Sequence, residues 1–183
     1  MQIIGISGKA ESGKTTTALL LQEELNKRGI STCFINYGDL VKYVAKQYYN
    51  WQGEKDQKGR TLLQYIGTDL GREKVDNSIW VNMIINIIKI LQYNYNVAII
   101  GDCRFPNEYE EWNKYKKDFN MIKLRIERPN YKNKLTKKQK QHLSETALDN
   151  YCFDYTIINN DDLNKLKNEV NKFINSQLKL DFK

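Results

Sequence analysis

Gly8-Lys9-Ala10-Glu11-Ser12-Gly13-Lys14-Thr15, followed by Thr16, fits G-x-x-x-x-G-K-[ST], and its reading decides the fold. Just before it, Gln2 to Ser7 (Gln-Ile-Ile-Gly-Ile-Ser) reads as a short buried strand. Just after it, Thr16 to Lys27 reads as a helix with Ala18, Leu19, Leu21 and Leu25 on roughly one side. Strand, Gly-rich loop and helix in that order present backbone N–H groups and a helix N-terminus to phosphate. Lys14 can then reach β- and γ-phosphates, and the Thr15 hydroxyl can ligate Mg²⁺.

The bulk properties agree with an α/β protein built around that loop. A chain of 183 residues, 40% hydrophobic and with 12 Tyr, is long enough for one domain with a real core. The chain enters its first strand at once, so no signal peptide is expected. The best apolar run, Val81 to Leu91, is short and interrupted by Asn82, Asn86 and Lys89, so no membrane span is expected. Cys33, Cys103 and Cys152 lack C-x-x-C spacing and read as reduced thiols of a cytoplasmic protein. A single histidine, His142, excludes a multi-histidine metal site.

The net charge is +7, which suits either nucleic acid or anionic small molecules. The densest basic run is Lys132 to Lys140, where five of nine residues are Lys; elsewhere the positive charge is interleaved with acids. This favours a solvated or phosphate-facing segment over a nucleic-acid surface. Only six of the 29 basic residues are Arg, and five of these (Arg60, Arg72, Arg104, Arg125, Arg128) lie at or beside the segments below. Where Lys is the default cation, each Arg points to a need for bidentate geometry. Arg28, near a helix C-terminus, has a helix-dipole explanation.

Strand patterns recur at 31–36, 96–101, 121–126 and 155–158, with helical patterns at about 38–49, 61–72, 76–93 and 161–178. Residues 53–59 and 129–141 read as polar, weakly patterned stretches. The alternation implies a parallel sheet covered on both faces, with ligands at the strand C-terminal ends. Those ends fall at Ser7, Asn36, Asp102, about Glu127 and Asn159.

Val97-Ala98-Ile99-Ile100-Gly101-Asp102 is a Walker-B-like strand end that can place Asp102 near Mg²⁺ or its water shell. Arg104, two residues on, leaves the same edge and can clamp a phosphate, or else pair with Asp102 or Glu108. A switch-type D-x-x-G is absent, because Phe105 holds the Gly position, and Asn159-Asn160-Asp161-Asp162 lacks the Lys of a guanine-reading N-K-x-D. Both absences favour a transferase over a switch. The stretch Arg60 to Arg72, followed by Trp80, reads either as core with surface charge or as an acceptor pocket. In the second reading Arg60 and Arg72 hold a phosphate, and Tyr65 or Trp80 packs on a planar ring. In His142 to Asp149, Ser144 is a candidate helix cap and His142 reads as structural.

Taken together, SGKAESGKTT, LLQYIGTDLGR followed by SIWVN, IIGDCRFPNE and HLSETALDNYCFDYTIIN resemble the phage deoxynucleoside monophosphate kinases of the P-loop nucleoside monophosphate kinase superfamily. The likeness runs from about Ile3 to Asn160, with IGTDLGR, DCRFPNE and SETALD its most specific parts. Thr15 departs from it, since several members have Asp there. The resemblance implies a three-layer α/β P-loop kinase fold over 1–183, with a central parallel sheet, a helical substrate-binding insertion at about 38–95 and a lid at about 128–142. It implies ATP and Mg²⁺ at Gly8 to Thr16, with Asp39, Lys42, Arg60, Tyr65, Asp69, Arg72, Trp80, Arg104 and Glu145 around a deoxynucleoside monophosphate. Lys14, Asp102, Arg104 and the lid's Arg128 would serve phosphoryl transfer, Thr15 and Asp102 the metal, and the helical insertion could form a homodimer. Two rivals are a kinase of another phosphorylated small molecule, similar to animal-type phosphomevalonate kinase, and a nucleotide-dependent nucleic-acid-binding module using Lys132 to Lys140.

Overall fold

Strand alternation decides which helices cover which face of the sheet. In β1 (Gln2–Ser7) Ile3 points to one side and Ile4 and Ile6 to the other; in β3 (Val97–Cys103) Ala98 and Ile100 oppose Val97 and Ile99. With β2 (Thr32–Ile35), β4 (Asn120–Glu127) and β5 (Tyr155–Ile158) they form one parallel sheet in the order β2-β3-β1-β4-β5. The computed structural model describes residues 1–54, 56–133 and 135–178. The helices are α1 (Lys14–Lys27), α2 (Tyr37–Tyr48), α3 (Gln57–Gln64), α4 (Ile79–Leu91), α5 (Asn107–Glu110), α6 (Lys137–Gln141), α7 (Leu143–Thr146) and α8 (Leu163–Gln177).

One face is closed by α1 and α8, which bury Ala18, Leu21, Leu25, Val170 and Phe173 against Ile4, Ile6 and Ile99. The other is closed mainly by α2 and α4, through Val41, Ala45, Val81, Ile84 and Ile88, with Trp112 beside them. The central strands read as unbroken apolar runs because both their faces are covered. The three cysteines are free, and among the described residues no helix is long and apolar enough to cross a membrane.

The second half of the expected 61–72 helix is wound differently. Asp56 caps α3, its carboxylate accepting the Gly59 N–H at 2.7 Å, so the helix begins inside the stretch that read as loop. From Tyr65 to Val75 the chain continues as a π-helix, a rare form associated with functional sites. It packs against Trp80, whose Nε1–H donates to the Gly67 carbonyl at 2.8 Å. A Cβ on Gly71 would lie 2.8 Å from the Trp80 ring, so only glycine fits that approach.

The 129–141 stretch, read as weakly patterned, holds α6, opened by a Thr136–Gln139 capping box. Lys134, part of the basic run and of the expected lid, lies outside the described residues. The cap of α7 is His142, whose ring accepts the Ser144 N–H, so the histidine takes the role expected of Ser144. At α8 the expected cap is present: Asp162 accepts the Lys165 N–H at 2.9 Å.

Candidate active site

Between β1 and α1 the Gly8–Thr15 loop doubles back over the end of the sheet. Gly13 sits at φ 101°, and a Cβ there would meet Asn159 Nδ2 at 2.3 Å. That amide, just past β5, donates to the Ser12 carbonyl at 2.9 Å and braces the loop. Glu11 holds φ 63°, a left-handed conformation that is strained for a residue with a Cβ. Lys14 donates to the Gly8 and Lys9 carbonyls, both at 2.8 Å. Burial lowers its ammonium to about 7, and the nearby Arg104 charge adds to the effect. The Ser12 hydroxyl is buried without a hydrogen-bond partner among the described residues. A loop with a buried orphan hydroxyl and a desolvated ammonium is built to meet an anion.

Facing the loop is a cavity of about 450 Å³. Its loop side is Ala10, Glu11, Lys14 and Thr15; α2 contributes Tyr37, Gly38, Val41 and Lys42. Arg60, Leu63 and Gln64 of α3, then Gly67, Thr68 and Arg72 of the π-helix, form another wall, with Trp80 behind. Gly101, Asp102, Arg104, Phe105 and Glu108 come from the end of β3 and beyond it, and Leu135, Ser144 and Glu145 complete the lining. The cavity thus lies at the C-terminal edge of the strands, as a doubly covered parallel sheet requires.

Asp102 is turned toward α2. Its two oxygens accept the Tyr37 and Gly38 N–H groups at 2.8 Å each, so it caps that helix while lining the cavity. Burial raises its carboxyl above the usual range.

Arg104 pairs with neither of the carboxylates expected from sequence. Its guanidinium binds the Glu145 carboxylate and, at 3.1 Å, the Ser144 carbonyl. The other Glu145 oxygen accepts the Ala10 N–H of the phosphate loop at 3.1 Å. Lys9 adds a second tie, to the Glu145 carbonyl at 2.5 Å and to the Asp149 carboxylate.

Arg72 is 6% exposed and bound into the structure. It pairs with buried Glu108, donates to the Asn77 carbonyl at 2.8 Å and the Asn107 side chain at 3.2 Å, and stacks on Phe105 at 4.1 Å. It borders the cavity as part of its frame rather than as an open phosphate clamp. Arg60 approaches Glu11 at 3.4 Å, which ties α3 to the loop.

Of the residues singled out from sequence, the cavity gathers Ala10, Glu11, Lys14, Thr15, Lys42, Arg60, Arg72, Trp80, Asp102, Arg104 and Glu145. Others fall outside its lining. Tyr65 is 45% exposed, because the π-helix turns it outward. Asp69 lies 3.8 Å from His142 instead. Asp39 pairs with Lys42 at 2.6 Å and accepts from Asn36. Arg128 stacks on Tyr131 at 4.4 Å. Thr16 is exposed on α1. Asn159 and Glu108 organise the site without having been singled out for it. Asn159 carried a signal as a strand-end residue; Glu108 carried one only as a possible partner of Arg104.

Sheet order, phosphate loop and cavity together define a P-loop kinase fold. The structure of the Mycobacterium tuberculosis APS kinase CysC in complex with AMPPNP and APS superposes with a TM-score of 0.57 at 14% identity, over 96% of this chain and 98% of that one. The model of the deoxynucleotide monophosphate kinase family matches residues 34–170, and the chain belongs to that family. That match begins after the phosphate loop, so loop and family are separate signals. The deoxynucleoside-5'-monophosphate kinase of Escherichia phage T5 is 34% identical over 120 residues, 65% of this chain and 46% of that protein. A provisionally named deoxynucleotide monophosphate kinase of Acanthamoeba polyphaga mimivirus is 26% identical over 93% of this chain and 94% of its own. The chain thus matches about half the length of the T5 relative and nearly all of the mimivirus one.

Proposed function

We propose that this protein transfers the γ-phosphoryl group of ATP to the 5'-phosphate of a deoxynucleoside monophosphate, giving the diphosphate and ADP. The observation that carries this is one cavity shared by a phosphate loop with its lysine, two further arginines (Arg60 and Arg104), and an apolar wall of Val41, Leu63 and Trp80. The acceptor oxygen is already anionic at neutral pH, so the reaction needs no strong general base. It needs alignment and charge neutralisation. Lys14 and the loop N–H groups receive the donor phosphates, and Arg104 and Arg60 hold the acceptor phosphate against them. Residues at about 38–95 form the acceptor side, and about 128–142, through Leu135, the cover that keeps water out.

Mg²⁺ fits this site as a companion of the nucleotide. Among the described residues no three His, Cys, Asp or Glu side chains gather into a protein-only metal cage, whereas Thr15 faces the cavity at the start of α1. The ion would neutralise phosphate charge, held by Thr15, with Asp102 nearby.

Family membership favours a deoxynucleotide acceptor over phosphomevalonate. A coupled ADP-release assay with Mg²⁺-ATP against dAMP, dGMP, dCMP, dTMP, AMP, GMP and phosphomevalonate tests the reading. Turnover with at least one deoxynucleotide is expected. Turnover with phosphomevalonate alone, or none with any acceptor, defeats it.

A further inference from the structure

Beyond its phosphate end the cavity carries hydrogen-bonding capacity that the phosphates do not account for. Among Val41, Leu63, Gly67 and Trp80, two polar side chains interrupt the wall, Gln64 and Thr68. Thr68 is 4% exposed. Neither its hydroxyl nor the Gln64 carboxamide has a hydrogen-bond partner among the described residues. Both side chains line the cavity, so their donors and acceptors are free for whatever fills it.

The other polar groups around this part of the cavity are committed. Trp80 Nε1–H serves the Gly67 carbonyl, the Tyr37 hydroxyl donates to the Glu108 carbonyl at 3.1 Å, and Arg72 is held by Glu108. Asp102 is occupied by the start of α2. Gln64 and Thr68 are four residues apart, so they project from one side of the helical segment. Gln64 in turn lies four residues past Arg60, about 6 Å along the axis. A nucleotide whose phosphate sits at Arg60 presents its base further along the same wall.

We infer that Gln64 and Thr68 read the hydrogen-bonding edge of the acceptor's base, with Val41 and Trp80 packing the ring. The inference rests on the acceptor being a nucleotide. A carboxamide sets one donor beside one acceptor, which matches the adjacent donor and acceptor on a base edge; a hydroxyl adds one rotatable partner. The segment's glycine and its π-helical winding then have a use: they keep backbone and bulky side chains clear of the base while two polar ones face it.

The test is steady-state kinetics of Gln64→Met and Thr68→Val, both nearly isosteric, with saturating Mg²⁺-ATP. The acceptors are dAMP, dGMP, dCMP, dTMP and the 5'-monophosphate of purine deoxyriboside, which lacks exocyclic groups. For Gln64→Met, kcat/KM with the best natural base should fall by roughly tenfold, as expected for one or two lost hydrogen bonds. The fall should appear in the acceptor KM, with the KM for ATP changed less than about twofold. The ranking of the four bases should change, and the wild-type preference for dAMP over the purine analogue should shrink. An equal loss on all five acceptors, or no loss, overturns the inference. Thr68→Val gives a second reading should Gln64→Met fold poorly. Absence of turnover with every nucleotide in the wild type would instead defeat the kinase reading itself, while wild-type turnover with an unmoved base ranking in both variants defeats only the base-reading assignment.

Discussion

Glu108→Leu removes the acceptor on which Arg72 and the backbone N–H groups of Arg104 and Phe105 converge. Both side chains of the ion pair are buried, 5% and 2% exposed. Taking one partner from a buried pair costs about 3–5 kcal/mol, because the remaining charge has neither water nor a counter-ion. The two N–H groups lose a partner as well, so we expect a loss of about 4 kcal/mol, a large share of a typical domain's stability. Desolvation, however, already offsets much of the pair's attraction: burial pushes the Glu108 carboxyl up to about 7 although Arg72 pulls it down. Removing both charges should therefore be far milder. Arg72→Met combined with Glu108→Leu should recover at least about 2 kcal/mol of the single variant's loss. Urea unfolding of the wild type, both single variants and the double variant measures this. Folding favours the protonated Glu108, so its contribution is fully present below about 4.5 and lost as pH rises through about 7, and that part of the stability profile should flatten in the Leu variants. A loss under about 1 kcal/mol for Glu108→Leu, or a double variant no more stable than that single one, would refute the view of Arg72 as a framed cation.

Lys14→Met should lower turnover on the order of 100-fold or more, and a loss under threefold would contradict its role at the donor phosphates. Because the Lys14 ammonium is lowered to about 7 and phosphate contact raises it again, ATP binding at pH 8 should take up close to one proton, weakening as pH rises. Calorimetry in buffers of different ionisation enthalpy reads this; an enthalpy independent of the buffer would argue against it. Arg104→Lys keeps the charge but loses the fork, so the acceptor KM should rise about tenfold while that for ATP moves little; equal effects on both would count against an acceptor clamp. Asn159→Leu removes the amide that holds the Ser12 carbonyl, and the KM for ATP should rise about fivefold, as for one hydrogen bond. An unchanged KM for ATP would show that the loop stands without that brace.

Much of the architecture was legible because it is written locally. Val97 to Ile100 is apolar at every position, as a strand covered on both faces must be, and the phosphate loop announces its turn through Gly8 and Gly13. Asp102 and Arg104 could be placed at the cavity from strand polarity alone. Tyr65 could not. Seven residues from Arg72, it shares that residue's side in an α-helix, but a π-helix has roughly 4.4 residues per turn and sets the two nearly opposite. The π segment is also where the Trp80 ring closes on Gly71, an approach that no hydrophobic period reveals. The partners of Arg104 and of the loop were equally hidden, since Glu145 is 41 residues from Arg104 and Asn159 is 147 from Ser12. Local pattern fixes which edge a side chain leaves, whereas a long-range packing arrangement fixes which partner meets it there.

The distances in sequence spanned by the loop's braces have a consequence for synthesis. The phosphate loop leaves the ribosome well before Glu145, Asp149 and Asn159, which hold its Ala10 N–H, its Lys9 and its Ser12 carbonyl. Both neighbours of β1 in the sheet, β3 and β4, also follow it by more than ninety residues. A nascent chain therefore carries its donor-binding loop unbraced until Asn159, 147 residues after Ser12, has been made. ATP should first be retained when the residue-159 region clears the exit tunnel, so nucleotide capture by stalled chains of increasing length would time the completion of the fold.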